Sequence, residues 1–532
     1  MRLHRFQSSA ASNPAVRLAS YPASHWPPLP SGELDVAVER KGTHSRKLGG
    51  PGGAWIGRQP PVIPLRLADM DFRCAQPIVD SIVDRAQHGL FGYTDSPPEL
   101  DALLLGRLRS VYGCPSEPSR AWLRWIPGLI GGLNDAVRAV CSRPTDAVAV
   151  VTPSYAPFLG APLNAGARLV RVPLVESRRG VDGLELHYAV DWRLLEQVCA
   201  DPATKLVLWC NPHNPVGRCW TRRELARLAR LCARHDVVIC SDEVWGELPL
   251  DPTAHPFTSM LSLLPASAAV AAEADGLAAS VGLTGSVGLA ARRTGLEADG
   301  AAAHGDTAHG DTTSDPDALA GVPGLSERLI VLTSPMKAFN IASLCVGVGI
   351  VPDHKLWQLF DRACAGCADI SCFGFATALT AYGDAECEAW RQRVVAYVRA
   401  NRAYAYAALT SMGRVRCVLP EATYLMWFDA TEALPPGTDA LRFFLASGVG
   451  LSGGVPFGAA PGMCRINLAC RRETLEEGLV KMAAALDEVW SEWNEEGGGA
   501  ETGARRQSPR GCRDVSVDVT NKAVQLKRER ER

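Results

Sequence analysis

The feature that most constrains the fold of this chain is the alternation of short apolar runs with amphipathic helical segments. Four apolar runs end in polar or Gly/Pro turns, as buried parallel strands do, at 147–152, 205–210, 237–241 and 329–333. Apolar residues at helical spacing predict helices at 222–235 and 472–490. Strand–helix alternation over this length predicts a doubly wound, mainly parallel α/β sheet.

Polar residues follow the predicted strands at the positions where such sheets bind ligands, beyond the carboxyl ends. Asn211, Asp242 and Ser334 each lie within two residues of a strand end. They belong to three of four short motifs that we expect to form one site. The motifs are Asn211-Pro-His-Asn214-Pro-Val-Gly217, Ser241-Asp242-Glu243, Ser334-Pro-Met-Lys337-Ala-Phe-Asn340 and Cys464-Arg465-Ile-Asn467.

The four motifs supply the side chains that pyridoxal phosphate (PLP) chemistry requires. Lys337 would form the Schiff base with the cofactor, and burial at a strand end would lower its pKa as that role demands. Asp242 would keep the pyridine nitrogen protonated, and Arg465 would bind a substrate carboxylate with its planar fork. The alternatives are a surface lysine, a capping or turn aspartate, and an arginine in a structural ion pair.

Three further features would complete a PLP site. Asn214 would donate an amide hydrogen to the cofactor's phenolate oxygen, although its neighbouring prolines also predict a turn. The segment Pro127-Gly-Leu-Ile130-Gly131-Gly-Leu-Asn134 opens a helix with small residues, and the backbone N–H groups of such a start bind phosphate. Tyr155 follows the first strand and would stack on the pyridine ring, unless it serves packing alone.

Composition narrows the class of protein. A chain of 532 residues predicts two domains with extensions, and 47% hydrophobic with 21% charged residues is typical of globular proteins. The net charge of −2 gives no reason to expect nucleic acid or an acidic membrane as partner, and no apolar run reaches the roughly 18 residues of a membrane helix. The 17 scattered cysteines predict buried free thiols in a reducing compartment, and a lone Cys364-Ala-Gly-Cys367 is a weak metal or redox signal.

The chain also contains segments of biased composition. Residues 1–32 predict a disordered extension or a targeting presequence, so we expect a cytoplasmic protein or, alternatively, an organellar one. Residues 263–323 form a low-complexity stretch that contains a duplicated Ala-His-Gly-Asp-Thr. This composition predicts a disordered insertion rather than a metal site. The other predicted parts are a segment joining the small domain (33–74), a large PLP-binding domain (75–350), a small domain (351–494) and a disordered tail (495–532).

Taken together, these motifs resemble the fold-type I PLP-dependent enzymes of the aminotransferase class I/II superfamily. More narrowly, the chain resembles the cystathionine β-lyase, or cysteine-S-conjugate β-lyase, branch. The resemblance covers about 33–493 without the insertion, and implies a large doubly wound domain with a smaller α+β domain. It is carried further by Arg40-Lys-Gly-Thr-His-Ser45, Leu67-Ala-Asp-Met-Asp-Phe72, His88-Gly-Leu-Phe-Gly-Tyr-Thr94, Thr152-Pro-Ser-Tyr-Ala-Pro-Phe158, Pro420-Glu-Ala-Thr-Tyr424 and Gly448-Val-Gly-Leu-Ser452.

The resemblance implies the same site roles. Lys337 would be the Schiff-base lysine, Asp242 the partner of the pyridine nitrogen, and Asn214 the donor to the phenolate oxygen. Tyr155 would stack on the ring, and Arg465 would hold the α-carboxylate of an amino-acid substrate.

The resemblance also implies a partner subunit and an activity. Tyr93 would reach the phosphate of the neighbouring subunit's cofactor, which implies a homodimer with shared sites. The implied reaction is β-elimination, in which L-cystathionine or a related cysteine S-conjugate gives a thiol, pyruvate and ammonia. Transamination between an L-amino acid and a 2-oxo acid uses the same residues and stays open, as does a non-catalytic PLP-fold protein.

Three features depart from the family pattern. Met336 stands where the family has Ser or Thr, which would remove one phosphate hydrogen bond unless Ser334 supplies it. Trp245 replaces the histidine of Asp-Glu-Ile-His, so an indole takes the place of a smaller polar group near the cofactor. The insertion must loop out between the aspartate and the lysine, and the entropy of chain closure permits this because it grows only logarithmically with length.

Overall fold

The structure is a computed structural model that describes residues 32–51, 54–55, 58, 61–180, 182–266 and 321–495. The predicted N-terminal extension, nearly all of the predicted insertion and the tail lie outside these residues. The described strands are β1 (Ile63–Pro64), β2 (Leu123–Ile126), β3 (Ala147–Thr152), β4 (Arg168–Pro173), β5 (Val175–Arg179), β6 (Glu185–Ala189), β7 (Thr204–Cys210), β8 (Val238–Asp242), β9 (Leu329–Thr333), β10 (Gly347–Ile350), β11 (Arg416–Cys417), β12 (Leu425–Asp429), β13 (Val449–Gly450), β14 (Ser452–Gly453) and β15 (Met463–Asn467).

Helices alternate with these strands through most of the described chain. Two of them match the predicted segments closely, because their apolar residues keep helical spacing throughout. The described helices are α1 (Arg46–Gly49), α2 (Gln76–His88), α3 (Pro98–Ser110), α4 (Leu129–Val140), α5 (Ala156–Asn164), α6 (Trp192–Ala200), α7 (Arg222–Arg234), α8 (His354–Cys364), α9 (Cys372–Gly383), α10 (Ala385–Ser411), α11 (Ala440–Ala446) and α12 (Arg472–Glu495).

A seven-stranded sheet with the strand order β2-β10-β9-β8-β7-β3-β4 forms the larger part of the molecule. Only β10 is antiparallel to its neighbours, and the other pairs are parallel. All six residues of β3 and all five of β9 are buried, because helices cover both faces of such a sheet and its strands become continuous apolar runs. The four predicted strands are β3, β7, β8 and β9; β7 begins one residue earlier than predicted, and β8 is displaced by one residue.

The second sheet has the order β14-β15-β12-β11-β6-β5 and draws on two distant parts of the chain. The hairpin β5–β6 joins it through a parallel contact between β6 and β11. The predicted division at residue 350 assigns this hairpin to the large domain, whereas its hydrogen bonds join it to the C-terminal strands. The N-terminal segment is likewise tied to the C-terminal part, since β1 pairs with β13.

Two other features of the described residues bear on the composition analysis. Every described cysteine is unpaired and most are buried, which confirms the predicted free thiols. None of the described helices combines the length and the hydropathy needed to cross a membrane.

Candidate active site

The carboxyl ends of four adjacent strands bring the predicted site residues together. In sheet order, β9, β8, β7 and β3 lead to Lys337, Asp242, Asn214 and Tyr155. Arg465 comes from the middle of β15 in the second sheet, where it pairs with Trp427 and Ser452 across the strands. The site therefore lies where the two sheets meet.

Lys337 lies in the turn that follows β9, and its amine points towards the N-terminal part of the chain. The Nζ atom donates a hydrogen bond of 2.7 Å to the carbonyl oxygen of Ala68. The residue as a whole is half-buried, but desolvation of the amine lowers its pKa to about 8. The negative charge of Asp69 opposes this shift, the positive charge of Arg465 adds to it, and Asp242 opposes it more weakly.

Asp242 is the last residue of β8 and is only 4% exposed. Its Oδ1 atom accepts a hydrogen bond of 3.1 Å from the backbone N–H of Val244. Burial raises the pKa of the carboxyl to about 6, while that hydrogen bond and the charge of Lys337 work in the opposite direction. A pKa of that size leaves most of the carboxylate ionised at neutral pH, as a partner of a protonated pyridine nitrogen must be.

Arg465 and Asn214 form a buried pair. Nη1 of Arg465 donates to Oδ1 of Asn214 at 2.7 Å, and both residues are 4% exposed. The guanidinium also lies 4.7 Å from the centroid of the Phe457 ring. Among the described residues, no carboxylate forms a salt bridge with Arg465, so the alternative of a structural ion pair finds no support. Desolvation lowers the pKa of the guanidinium to about 10, still far above neutrality.

The contact with Arg465 also fixes the orientation of the Asn214 amide. Because the carbonyl oxygen of this amide accepts from the arginine, its N–H₂ group is left to act as donor.

Tyr155, directly before α5, is half-buried. Desolvation raises the pKa of its phenol, with opposing contributions from the charges of Arg465 and Asp242. The tyrosine therefore faces the same space as these residues.

The start of α4 is open. Gly128 adopts a φ of 101° at the N-cap, and Ile130 is 51% exposed. A Cβ atom added to Gly131 would meet nothing within 4 Å. The first N–H groups of a helix have no partner within it, so this end presents free donors beside Asn134, whose side chain caps the Ile130 carbonyl at 2.7 Å.

Two predicted residues have positions that limit their roles. The Ser334 hydroxyl donates to the Val346 carbonyl at 2.5 Å and accepts from the Met336 N–H at 3.0 Å. Its one proton is therefore committed to the backbone, and the expectation that Ser334 replaces the missing phosphate donor is not supported. Tyr93 is 99% exposed, so it does not reach the site of its own chain.

Neither Tyr424 nor the Ala68 carbonyl was predicted from the sequence as part of the site. The hydroxyl of Tyr424 donates to the same Ala68 oxygen as Lys337, at 2.9 Å. Trp245, identified above as a departure, is 2% exposed and lies with its ring 5.6 Å from Nζ of Lys337. The motifs containing Ala68 and Tyr424 were recognised, but a backbone acceptor has no side-chain signature.

Residues 67–72, called the strap below, are held in place by two asparagine side chains from distant parts of the chain. The amide of Asn467 donates to the carbonyls of Leu67 and Asp69 at 2.8 and 2.7 Å. Asn340 donates to the carbonyls of Met70 and Phe72 at 3.2 and 2.8 Å. Leu67 has a φ of 59°, an unfavourable conformation for a branched side chain. The hydrogen bonds of the strap therefore offset a strained backbone beside the lysine.

The side chains at this site fit PLP. No cluster of three or more metal-binding side chains occurs among the described residues. A buried amine, a buried and largely ionised carboxylate, an oriented amide donor and an open helix start match the aldehyde, the pyridine nitrogen, the phenolate and the phosphate of PLP.

Comparisons with known proteins agree with this fit. Residues 60–298 and 300–482 match the family described as aminotransferase class I and II. The chain is 28% identical over 459 residues to cystathionine beta-lyase PatB of Bacillus subtilis (strain 168), which covers 85% of this chain and 99% of that protein. It is 26% identical over 438 residues to the cystathionine beta-lyase of Corynebacterium glutamicum, and this match covers 81% of this chain and 96% of that protein. A PLP-bound crystal structure of a protein from Clostridium difficile 630 matches with a TM-score of 0.67 and 26% identity. The match covers 86% of this chain and 100% of that chain. The resemblance and the fold class indicated by the motifs are confirmed.

Proposed function

Because the chain belongs to the aminotransferase class I and II family, we propose that it is a PLP-dependent carbon–sulfur β-lyase. Its substrate would be L-cystathionine or a related cysteine S-conjugate. The observation that carries this proposal is the convergence of Lys337, Asp242 and the Arg465–Asn214 pair. The similarity to cystathionine beta-lyases from two organisms supports a lyase over an aminotransferase.

Each part of the site would hold one part of the cofactor. Lys337 would bond to its aldehyde carbon, and Asp242 would hold a proton at its pyridine nitrogen. Asn214 would donate to its phenolate oxygen, and the N–H groups of Ile130 and Gly131 would bind its phosphate. When bound, PLP supplies an electron sink that stabilises negative charge at the substrate Cα.

The chain's own residues would then orient the substrate and move its protons. Arg465 would hold the α-carboxylate, which turns the Cα–H bond towards the lysine. The Lys337 amine, with a pKa close to 8, suits general-base removal of that proton because its proton affinity is near the operating pH. The C–S bond breaks as the electron pair leaves with sulfur. One water molecule is consumed overall, and the products are a thiol, pyruvate and ammonia.

We extend the proposal to a homodimer. Tyr93 lies in an exposed segment that also contains Leu90 and Phe91, which are 69% and 60% exposed. Three large apolar or aromatic side chains exposed in four residues are typical of an interface. A second copy of the chain would cover them and bring Tyr93 to the phosphate end of its site.

The test uses the purified full-length chain mixed with PLP. We expect an absorbance band from the lysine-bound cofactor, and on adding L-cystathionine we expect pyruvate and free thiol in equal amounts without any 2-oxo acid. The Lys337→Ala variant should lose the band and at least a hundredfold in rate, because both the bond to the cofactor and the base are removed. A band with amino transfer to an added 2-oxo acid, but without pyruvate, would establish an aminotransferase instead. No band in the wild type would refute PLP binding.

A further inference from the structure

The free amine of Lys337 has a defined place in this structure. Its hydrogen bond to Ala68 is 2.7 Å long, typical of a charge-assisted bond. Its 5.6 Å separation from the centroid of the Trp245 ring is within cation–π range. Because Trp245 is 2% exposed, the ring is enclosed by protein. The amine is thus held between a carbonyl oxygen and an aromatic face.

Tyr424 closes this arrangement. Its ring meets the Trp245 ring edge to face, with centroids 4.9 Å apart and planes at 77°, a favourable geometry for two aromatic groups. Its hydroxyl donates to the Ala68 carbonyl at 2.9 Å, and a carbonyl oxygen has lone pairs for both donors. Lys337, Ala68, Tyr424 and Trp245 therefore form a closed ring of contacts, called the amine ring below.

The charges around the amine ring do not settle the protonation of Lys337 by themselves. Asp69 and Asp242 attract a cation, whereas Arg465 repels it, and desolvation favours the neutral amine. The resulting pKa of about 8 still lies above neutrality. The free amine is thus mainly a cation at pH 7, in a place where burial acts against charge.

We propose that Trp245 is a positioning residue whose indole face holds the free, protonated Lys337 amine against the Ala68 carbonyl. The family pattern has a histidine at this position, and tryptophan offers the strongest cation-binding face of any side chain. The proposal depends on the proposed function in one respect, that this amine is the group which bonds to PLP. Because of the indole, the amine loses its proton at a higher pH than it would with only the other surrounding groups present.

The experiment measures the proton affinity of Lys337 before the cofactor is attached. Cofactor-free full-length protein is mixed with PLP between pH 6 and 10, and the rate of appearance of the absorbance band is followed, since only the neutral amine reacts. In Trp245→Leu we expect the midpoint of this pH profile to fall by about half to one unit. At pH 7 the initial rate should rise several-fold. Trp245→Phe, which keeps a weaker face, should lie between the two.

Two controls separate the indole's charge effect from loosened packing. Tyr424→Phe removes the competing hydroxyl and leaves the indole in place, so its midpoint should stay or rise but not fall. If Trp245→Leu does not fold, biosynthetic replacement of tryptophan by a multiply fluorinated analogue weakens the ring face while keeping its shape. That substituted protein should show the same downward shift.

The outcomes distinguish this proposal from the proposed function. A wild type that forms no band refutes PLP attachment. In that case the midpoint of the pH profile is measured from the reductive methylation of Lys337 with formaldehyde, which mass spectrometry of the peptides quantifies at each pH. An unchanged midpoint in both Trp245→Leu and the fluorinated protein would overturn the role of Trp245. A downward shift in Tyr424→Phe equal to that of Trp245→Leu would also overturn it, because it would indicate general loosening of the site.

Discussion

The two ends of the candidate site are built differently. At the amine end, Asp242 and Trp245 are buried, and the half-buried Lys337 has its amine in a hydrogen bond within its own chain. At the phosphate end, Ile130 is half exposed, the space beside Gly131 is empty, and Tyr93 is almost fully exposed. One chain thus completes the surroundings of the lysine, while the phosphate end is left for a ligand and, as we propose, for a second subunit.

The difference has an energetic side. Charged groups at the amine end are taken out of water before any ligand arrives, which disfavours their charged forms and lowers stability. The donors at the phosphate end stay hydrated. We therefore expect substitutions at the amine end to change stability or catalysis strongly, and substitutions at the phosphate end to change mainly cofactor affinity.

The largest effect on stability is expected from Asp242→Asn in the cofactor-free protein. The folded pKa of about 6 lies above the ordinary value of 3.8, so the carboxyl favours folding most below pH 3.8 and that contribution is lost as the pH rises to 6. Removing the ionisable group should raise the free energy of unfolding at pH 7 by up to about 3 kcal/mol. Urea unfolding at pH 7 and at pH 4 measures this, with little gain expected at the lower pH.

The matched control for this prediction is an exposed aspartate. Asp84→Asn, on the exposed face of α2, should change the free energy of unfolding by less than about 0.5 kcal/mol. An Asp242→Asn protein no more stable than the wild type at pH 7 would show that the amine end is not destabilised by this carboxylate.

A smaller effect, on catalysis, is expected from Arg465→Lys. A lysine keeps the charge but cannot hold Asn214 and a substrate carboxylate together with one fork. Loss of charged hydrogen bonds of this kind predicts a fall in kcat/KM of about ten- to a hundredfold, mainly through KM. Steady-state kinetics with L-cystathionine measures it. The control is Arg416→Lys, in β11 of the same sheet, where the guanidinium pairs with the carboxylates of Asp429 and Glu432. This substitution should lower stability without that rise in KM. Equal effects of both substitutions on KM would contradict the role of Arg465.

The smallest effect is expected at the phosphate end, from Tyr93→Phe. The free energy of unfolding of the cofactor-free chain at low protein concentration should not change, because the hydroxyl is exposed. The dissociation constant for PLP should rise about two- to tenfold, as for the loss of one hydrogen bond. Fluorescence titration with PLP measures the change. A value equal to that of the wild type would remove Tyr93 from the shared site.

Much of the large sheet and the position of the site could be predicted from the sequence. The strands leading to Asp242 and Lys337 are buried on both faces, so they appear as unbroken apolar runs with polar residues just beyond. The hairpin β5–β6 could not be found in this way. All five residues of β5, from Val175 to Arg179, are exposed, so no apolar pattern marks the strand.

The details next to the lysine were also beyond prediction. The Ala68 carbonyl is 269 residues away from Lys337 along the chain, and nothing in the side chain of an alanine indicates that its backbone accepts two hydrogen bonds. Ser334 was expected at the phosphate because of its distance in sequence from the lysine. Its hydroxyl is instead used by the turn that leads into β10, which local spacing does not reveal.

The interlacing of the two sheets has a consequence for how the protein can be synthesised. While the chain leaves the ribosome, the β5–β6 hairpin is made long before its partner β11. The strap must likewise await Asn467, which lies 400 residues after Leu67. Such non-local contacts slow folding and leave strand edges exposed meanwhile. We expect nascent chains that stop before β15 to contain the large sheet but no functional lysine site. They should therefore depend on chaperones until the C-terminal strands have emerged from the ribosome.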